Sequence, residues 1–272
     1  MGRHVQAGEV QVWTEQVGDG PDVLLIGGLG DTVESWQFQL DGLADRYRLT
    51  AFDNRGAGRT AMPPGPLTVE AMADDAAAVL RELDIPSAHV AGFSGGSLIA
   101  QELALRHAAA VRSLVLQSTW AAMDHYVRTL LRIFRWQAAA APSERDFLEA
   151  FFVWVYTARA HNDGTVDRFI EEVLAFEHPQ STEDFFAFAD ACERHVTAGR
   201  LGGITVPTLV LAGGADALTR PDLGRAVAAE IPGATFEVMD GEAHQPFQEV
   251  PELWNARVHA FWQDTGRQSA EP

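Results

Sequence analysis

The chain has 272 residues and a formal net charge of −18, and 47% of its residues are hydrophobic and 21% charged. This length and composition suffice for one large core, and the negative charge excludes nucleic-acid binding because the phosphates would be repelled. All 20 residues counted as Lys or Arg are arginines, which excludes Schiff-base chemistry on a lysine and phosphate binding by a P-loop lysine.

The sequence shows no pattern typical of a membrane protein, a secreted protein or a cofactor enzyme. Residues 1–6 contain no apolar segment, and no apolar run approaches the ~20 residues of a membrane span. The lone cysteine, Cys192, falls in a helix-like stretch, where we expect a buried structural thiol rather than a disulfide or a metal ligand. We therefore expect a cytoplasmic protein that acts on a small molecule without membrane contact, metal or cofactor. No pattern indicates the oligomeric state.

Strand-like and helix-like segments alternate along most of the chain. Residues 3–6 and 9–17 predict an antiparallel hairpin at the start of the sheet. Further strands are predicted at residues 22–27, 48–53, 88–93, 112–117, 207–212 and 234–239. Because parallel strands need crossovers such as the helix-like runs between these segments, the pattern predicts an α/β fold with a mostly parallel eight-stranded sheet flanked by helices.

A glycine-rich loop follows the first of the predicted parallel strands. Residues 27–30 read GGLG and come directly after the apolar run 22–26. Such a loop is either a flexible turn or a backbone site for a negatively charged oxygen, with the amide of Leu29 as the donor. A nucleophile motif further along the chain favours the second interpretation.

Residues 92–96 read GFSGG and lie between a strand-like run and a helix-like run. The pattern G-x-S-x-G at such a junction is a nucleophile elbow, in which the serine stands at a sharp turn that only small neighbours permit. Many chance matches to this pattern are ordinary loops, but the flanking strand and helix favour a catalytic one. We therefore predict Ser94 as the nucleophile and the amide of Gly95 as the second oxyanion donor.

The alternation stops between residues 118 and 200, where no strand is predicted. Four helix-like segments take its place, at residues 120–141, 144–160, 165–177 and 182–198. Ser143 with Asp146 and Ser181 with Asp184 resemble capping boxes at two of their starts. The expected organisation is a core of residues 1–118 and 200–272 with a helical lid of residues 119–199 inserted after strand 6.

This predicted lid carries 14 of the 25 aromatic residues of the chain. Most of these rings are expected to form the small core of the lid itself. Some of these rings must face the cleft, because several aromatic residues of the predicted lid lie too close to one another in sequence to share one face of a helix. The candidates for lining an apolar acyl or alcohol pocket are Trp120, Trp136, Phe152 and Trp154.

The acid and the base of a catalytic triad are predicted at the ends of the last two strands. Asp216 follows the strand at 207–212, and His244 follows the strand at 234–239. His244 would accept the proton of the nucleophile, and Asp216 would fix the imidazole tautomer. Asp240 and Glu242 are closer to His244 in sequence, but side chains on the same tight loop are poorly placed to reach it.

These features together resemble the α/β-hydrolase fold proteins of the lidded esterase, enol-lactonase and C–C hydrolase type. Residues 52–60, FDNRGAGRT, are similar to a structural loop of that family, D-x-R-G-x-G-x-S. The chain departs from the family at Gly27, where a histidine usually begins the oxyanion loop. Because the oxyanion donors are backbone amides the hole survives this change, but the loop is expected to lose a side chain that helps to hold it.

The resemblance implies a serine hydrolase that cleaves a medium-sized, largely apolar carboxylic ester or lactone through an acyl-enzyme on Ser94. Two alternatives stay open on sequence grounds. One is a C–C bond hydrolase of a vinylogous diketone, which uses the same triad. The other is a non-hydrolytic ligand-binding protein or cyclase of the same fold, against which the complete triad weighs.

Overall fold

The structure, a computed structural model, describes residues 2–268 of the chain. Its strands are β1 (Arg3–Ala7), β2 (Val10–Val17), β3 (Asp22–Ile26), β4 (Arg48–Phe52), β5 (Ala88–Phe93), β6 (Val111–Gln117), β7 (Thr208–Gly213) and β8 (Thr235–Met239). They form one sheet in the order β1-β2-β4-β3-β5-β6-β7-β8. β2 pairs antiparallel with β1 and β4, and the remaining pairs are parallel, which confirms the predicted eight-stranded, mostly parallel sheet.

Helices connect the strands and cover both faces of the sheet. In chain order they are α1 (Gln37–Leu43), α2 (Val69–Glu82), α3 (Gly95–Arg106), α4 (His125–Ala140), α5 (Glu144–Phe152), α6 (Ala158–Asn162), α7 (Thr165–Ala175), α8 (Thr182–Arg194), α9 (Pro221–Glu230), α10 (Pro246–Glu249) and α11 (Pro251–Gln268). Among the described helices, none combines the length and the apolar character needed to cross a membrane.

The two faces of the sheet follow from the alternation of side chains along each strand. In β3, Leu24 and Ile26 join the core that packs against α2, α3 and α9, whereas Val23 and Leu25 join the core against α1 and α11. Because β3 is buried on both faces, its four residues after Asp22 are all apolar rather than alternating in polarity. The central strands therefore have helices packed on both faces of the sheet up to the point where the strands end.

Helices α4 to α8 form an insertion between β6 and β7. The predicted serine caps are present, since Ser143 and Ser181 accept hydrogen bonds from the amides of Asp146 and Asp184. The predicted helix at 144–160 is instead two helices, because Thr157 is extended and begins α6 as its N-cap. The last predicted segment ends as a helix at Arg194 rather than at residue 198.

The two ends of the insertion meet over the sheet. Thr197 donates its amide to the carbonyl of Ala121 at 2.8 Å, and its hydroxyl donates to Gln101 of α3 at 2.6 Å. Part of the insertion packs on the core of α2 and α3, and the remainder has a small core of its own around Phe152, Phe169 and Ile170. Cys192 of α8 is buried and unpaired, as predicted for a structural thiol.

We predict opposite effects on stability when the two glycines at 96 and 266 are replaced by alanine. A Cβ at Gly96 would lie 2.3 Å from the carbonyl oxygen of Ile26, so Gly96→Ala should lower the free energy of unfolding by about 3 kcal/mol. A Cβ at Gly266, within α11, meets no atom of the described residues within 4 Å, so Gly266→Ala should raise the free energy of unfolding by about 0.5 to 1 kcal/mol. Urea unfolding measures both, and a Gly96→Ala variant as stable as the unmodified protein would contradict the packing described here.

Candidate active site

Ser94 occupies the turn between β5 and α3 in a strained conformation. Its φ of 51° and ψ of −121° are unusual for a residue with a side chain. The turn depends on close packing of its neighbours, since a Cβ at Gly92 would lie 2.5 Å from the carbonyl oxygen of Gly96. The glycines of the GFSGG motif are therefore required by sterics, and they leave the serine at the N-terminus of α3.

The structure brings Ser94, His244 and Asp216 together, although 150 and 28 residues separate them in sequence. Ser94 Oγ lies 3.0 Å from His244 Nε2, and His244 Nδ1 lies 2.8 Å from Asp216 Oδ2. The other candidate acids are placed elsewhere: Asp240 is exposed, and Glu242 pairs with Arg159 at 2.7 Å. These distances match those that the predicted Ser-His-Asp triad requires.

Three donors hold the Asp216 carboxylate in place. The amides of Leu218 and Thr219 donate to Oδ1 at 2.9 and 2.8 Å, and the Thr219 hydroxyl donates to Oδ2 at 2.9 Å. Thr219 Oγ1 also lies 3.1 Å from His244 Nδ1. Thr219 was not predicted from the sequence as part of the site. The one indication of its role in the sequence is a hydroxyl-bearing residue three positions after Asp216.

His244 is fixed through its backbone as well as its ring. Its amide donates to the carbonyl of Val155 in the insertion at 3.0 Å, and its carbonyl accepts the Ser118 hydroxyl at 2.9 Å. Its ring lies against Phe93, with 4.9 Å between the ring centroids. Both the core and the helical insertion therefore determine where the imidazole lies.

The glycine-rich loop lies beside the elbow, since a Cβ at Gly28 would be 3.0 Å from Ser94 Cβ. Within residues 2–268, the amides of Leu29 and Gly95 donate to no protein acceptor, so both are available to an oxyanion. Gly27 brings no side chain to this loop, but two other side chains hydrogen-bond to it. Asp31 Oδ2 accepts the amide of Gly28 at 2.7 Å, and Asn54 Nδ2 donates to the carbonyl of Gly27 at 2.9 Å.

Asp31 is a buried carboxylic acid close to the triad. Burial raises its pKa to about 6, although the Gly28 amide and the nearby His244 favour the ionised form. Gln245, the residue after the triad histidine, donates its side-chain amide to Asp31 Oδ1 at 3.2 Å. Sequence reasoning did not identify Asp31 or Gln245 as parts of the site.

An apolar cavity opens above Ser94, between the sheet and the insertion. Its lining consists of Leu29, Phe93, Ser94, Trp120, Met123, Val127, Leu131, Phe134, Phe151, Val155, Phe185, Leu218, Thr219, His244 and Gln245. Apart from the triad members, Thr219 and Gln245 are the polar side chains of this lining. The cavity thus suits a largely apolar ligand that presents a polar reacting group to the serine.

Of the four aromatic residues predicted to line the pocket, Trp120 does so. The other three do not, and the prediction is corrected for them. Trp136 is 68% exposed on the outer side of α4, Phe152 lies in the small core of the insertion, and Trp154 packs against Phe134 outside the cavity lining. Phe134, Phe151 and Phe185 provide aromatic surface in their place.

A sequence profile of the α/β hydrolase fold family matches residues 21–250. The chain belongs to this family. It is 30% identical over 260 residues to a protein of Azorhizobium caulinodans named as a candidate carbamate hydrolase, RutD, with 95% of this chain and 97% of that protein covered. It is 27% identical to 3-oxoadipate enol-lactonase 2 of Acinetobacter baylyi, with 89% and 88% covered. This α/β hydrolase is therefore an enzyme of the hydrolase class.

A solved structure agrees with the fold of this α/β hydrolase. The enol-lactonase from Burkholderia xenovorans LB400 matches it with a TM-score of 0.84 at 23% sequence identity. The match covers 96% of this chain and 100% of that chain. At this level of identity the likeness concerns the arrangement of the chain rather than the substrate.

One group of side chains in the α/β hydrolase resembles a metal site by composition, namely Glu70, Glu102 and His195. Glu102 is already engaged, because Arg200 donates to both of its oxygens, at 2.5 and 3.0 Å. Burial alone would raise the pKa of Glu102, but hydrogen bonds from His195 and Arg200 hold it down at about 2. The group is an ion-pair network between α3 and the end of the insertion, in which the arginine supplies the positive charge.

We predict that Asp216→Asn lowers kcat about 10⁴-fold, because the amide cannot fix the required imidazole tautomer. Asp240→Asn is the matched control, since Asp240 is exposed and lies four residues before His244. It should retain nearly full activity. Steady-state kinetics on one ester would measure both variants, and the opposite order of effects would show that Asp216 is not the orienting acid.

Proposed function

We propose that the protein is a serine hydrolase that cleaves a medium-sized, largely apolar carboxylic ester or lactone through an acyl-enzyme on Ser94. The observation that carries the proposal is the 3.0 Å approach of Ser94 Oγ to His244 Nε2 at the floor of an apolar cavity. Two unengaged amides, those of Leu29 and Gly95, lie beside the same serine. A nucleophile, a base, an orienting acid and an oxyanion site are the components that acyl transfer requires.

In the first half of the reaction, Ser94 Oγ attacks the substrate carbonyl and transfers its proton to His244 Nε2. Asp216 stabilises the resulting imidazolium through the Nδ1 proton, and the two amides bind the tetrahedral oxyanion. His244 then protonates the leaving alcohol, or the ring oxygen of a lactone. In the second half, water transfers a proton to His244 while its oxygen attacks the acyl carbonyl. The bond from the carbonyl carbon to Ser94 Oγ then breaks, Ser94 Oγ takes the proton back from His244, and the acid leaves.

The insertion, residues 119–199, acts in this proposal as a lid on a core of residues 1–118 and 200–272. Its α4, α5 and α8 contribute rings to the ceiling of the cavity, including Phe134, Phe151 and Phe185. Exclusion of water by these rings strengthens the electrostatic contacts to the oxyanion. The enol-lactonase among the relatives supports a lactone or ester substrate, and the RutD relative adds carbamates to the compounds worth testing.

We predict that a fluorophosphonate labels the protein on Ser94 and that Ser94→Ala is neither labelled nor active. The variant should keep its fold and lose about 10⁴-fold or more in kcat, as is typical for removal of a triad serine. Intact-mass spectrometry measures the label, and p-nitrophenyl esters of increasing chain length, simple lactones and a p-nitrophenyl carbamate measure turnover.

The combination of labelling and turnover distinguishes the proposed activity from its alternatives. Ester or lactone turnover that requires Ser94 supports the proposal, whereas turnover of the carbamate alone would replace the ester by a carbamate as substrate. Labelling without turnover of any of these compounds would favour C–C bond hydrolysis. Absence of labelling would contradict a reactive serine and favour a ligand-binding protein.

We also predict that Phe151→Ala shifts the preferred acyl chain length upward, because removing a ring from the cavity lining makes room for additional methylene groups. Trp136→Ala is the control, since Trp136 is an aromatic residue of the insertion that is exposed and lies outside the lining. The ratio of kcat/KM for octanoate and butyrate esters should rise about tenfold in the first variant and stay constant in the second. A constant ratio in both would mean that the acyl chain does not occupy this cavity.

A further inference from the structure

We propose that Asp31 is a positioning residue that orients the Leu29 amide toward the oxyanion and couples this amide to the loop of the catalytic histidine. The inference rests on the proposed function, because it assigns Asp31 to the same reaction. Asp31 is not part of the cavity lining, so it acts through the residues that it holds.

Asp31 closes the turn that begins at Gly28 and contains Leu29. The Asp31 carboxylate accepts the Gly28 amide at 2.7 Å, and the Asp31 amide donates to the Gly28 carbonyl at 3.4 Å. Gly30 has a φ of 81°, which allows the chain to close in this way. Because the N–H and C=O of a trans peptide point in opposite directions, fixing the Gly28 carbonyl also fixes the direction of the Leu29 N–H.

Asp31 also packs closely against the start of the loop. A Cβ at Gly27 would lie 2.7 Å from Asp31 Cβ, so the position of Asp31 excludes a side chain at residue 27. The glycine that replaces the usual first residue of the loop is therefore matched to the aspartate four positions later. The loop receives its side-chain support from its C-terminal end rather than from its N-terminal end.

Asp31 is also connected to the loop of His244. Asp31 Oδ1 accepts the side-chain amide of Gln245 at 3.2 Å, and Gln245 directly follows His244. The carboxylate is buried, with an exposed fraction of 5%, and its charge is close enough to His244 to interact with it. An anion in this place favours the imidazolium that forms during the reaction. One carboxylate thus supports both the oxyanion donor and the general base.

These contacts predict a specific kinetic effect. The Leu29 amide meets charge in the tetrahedral state and much less in the bound substrate, so its misorientation should lower kcat and leave KM nearly constant. Asp31→Ala removes both accepting oxygens, whereas Asp31→Asn keeps one of them in a side chain of the same shape. The alanine variant should therefore lose more activity than the asparagine variant.

The experiment compares Asp31→Ala, Asp31→Asn and the unmodified protein by the rate constant of fluorophosphonate labelling, by kcat and KM on one ester, and by the Ki of an alkyl boronic acid. We expect Asp31→Ala to lower the labelling rate constant and kcat by about 10²-fold, with a similar rise in Ki and with KM changed less than about threefold. Asp31→Asn should lower the same quantities by about tenfold.

The matched control is Asp75→Asn. Asp75 is also a carboxylate with an exposed fraction of 5%, and it pairs with Arg55 at 2.8 Å away from the cavity lining. Its substitution should lower the melting temperature and leave the labelling rate constant and kcat unchanged. This control separates a loss of global stability from a loss of oxyanion stabilisation.

Asp31 variants that lose melting temperature but keep the labelling rate constant and kcat would overturn the inference and leave the proposed function intact. If Asp31→Ala does not fold, Asp31→Asn decides the matter by the same criterion. The labelling rate is independent of the natural substrate, so it tests Asp31 even if none of the esters is turned over. Absence of labelling in the unmodified protein would overturn both the proposed function and this inference.

Discussion

The close approach of α3 to the ends of β3 and β5 is the contact on which the site depends. A Cβ at Gly96 would lie 2.3 Å from the carbonyl oxygen of Ile26 and 2.4 Å from that of Gly27, so only a glycine permits it. This contact places the loop after β3 beside Ser94 and brings two amides from distant segments to one point. The strained φ of Ser94 is maintained because the strand before it and the helix after it are both buried.

The insertion contributes to the position of His244 as well as to the cavity. The carbonyl of Val155 accepts the amide of His244, and Arg159 pairs with Glu242 two residues before the histidine. Thr157 donates its amide to Glu249 at 3.1 Å, which ties the same turn to α10. The break between α5 and α6 is therefore a docking point for the histidine loop, and displacement of the insertion would displace the base.

The sequence was sufficient for the parts of the site that lie at ends of predicted strands. Ser94, Asp216 and His244 follow three parallel strands, whose carboxyl ends meet at one edge of the sheet. Thr219 and Asp31 escaped prediction because their roles depend on hydrogen bonds that the local pattern does not encode. The break at Thr157 was also missed, since it depends on contacts with Glu249, 92 residues away.

Trp136 and Phe152 lie outside the cavity lining for two different reasons. The buried residues of α4 at positions 127, 130, 131 and 134 follow helical spacing, and Trp136 falls off that stripe. The helical spacing of the apolar residues of α4 was therefore enough to predict that Trp136 is exposed. Phe151 and Phe152 are neighbours on α5, and one faces the cavity while the other faces the core of the insertion. Which of these two rings faces the cavity is decided only by the packing of α5 against α4 and α7.

The charges around the cavity narrow the range of substrates further. The carboxylates of Asp216 and Asp31 lie near His244, and no arginine lines the described cavity. Both anions favour the imidazolium of the transition state, but they would repel a negatively charged substrate that finds no cation to pair with in an apolar pocket. In the proposed reaction, a neutral ester or lactone would avoid this cost until the oxyanion forms, and the two amides would then meet the new charge. The two carboxylates near His244 thus favour uncharged substrates, and the same negative charges favour the imidazolium that forms in the proposed reaction.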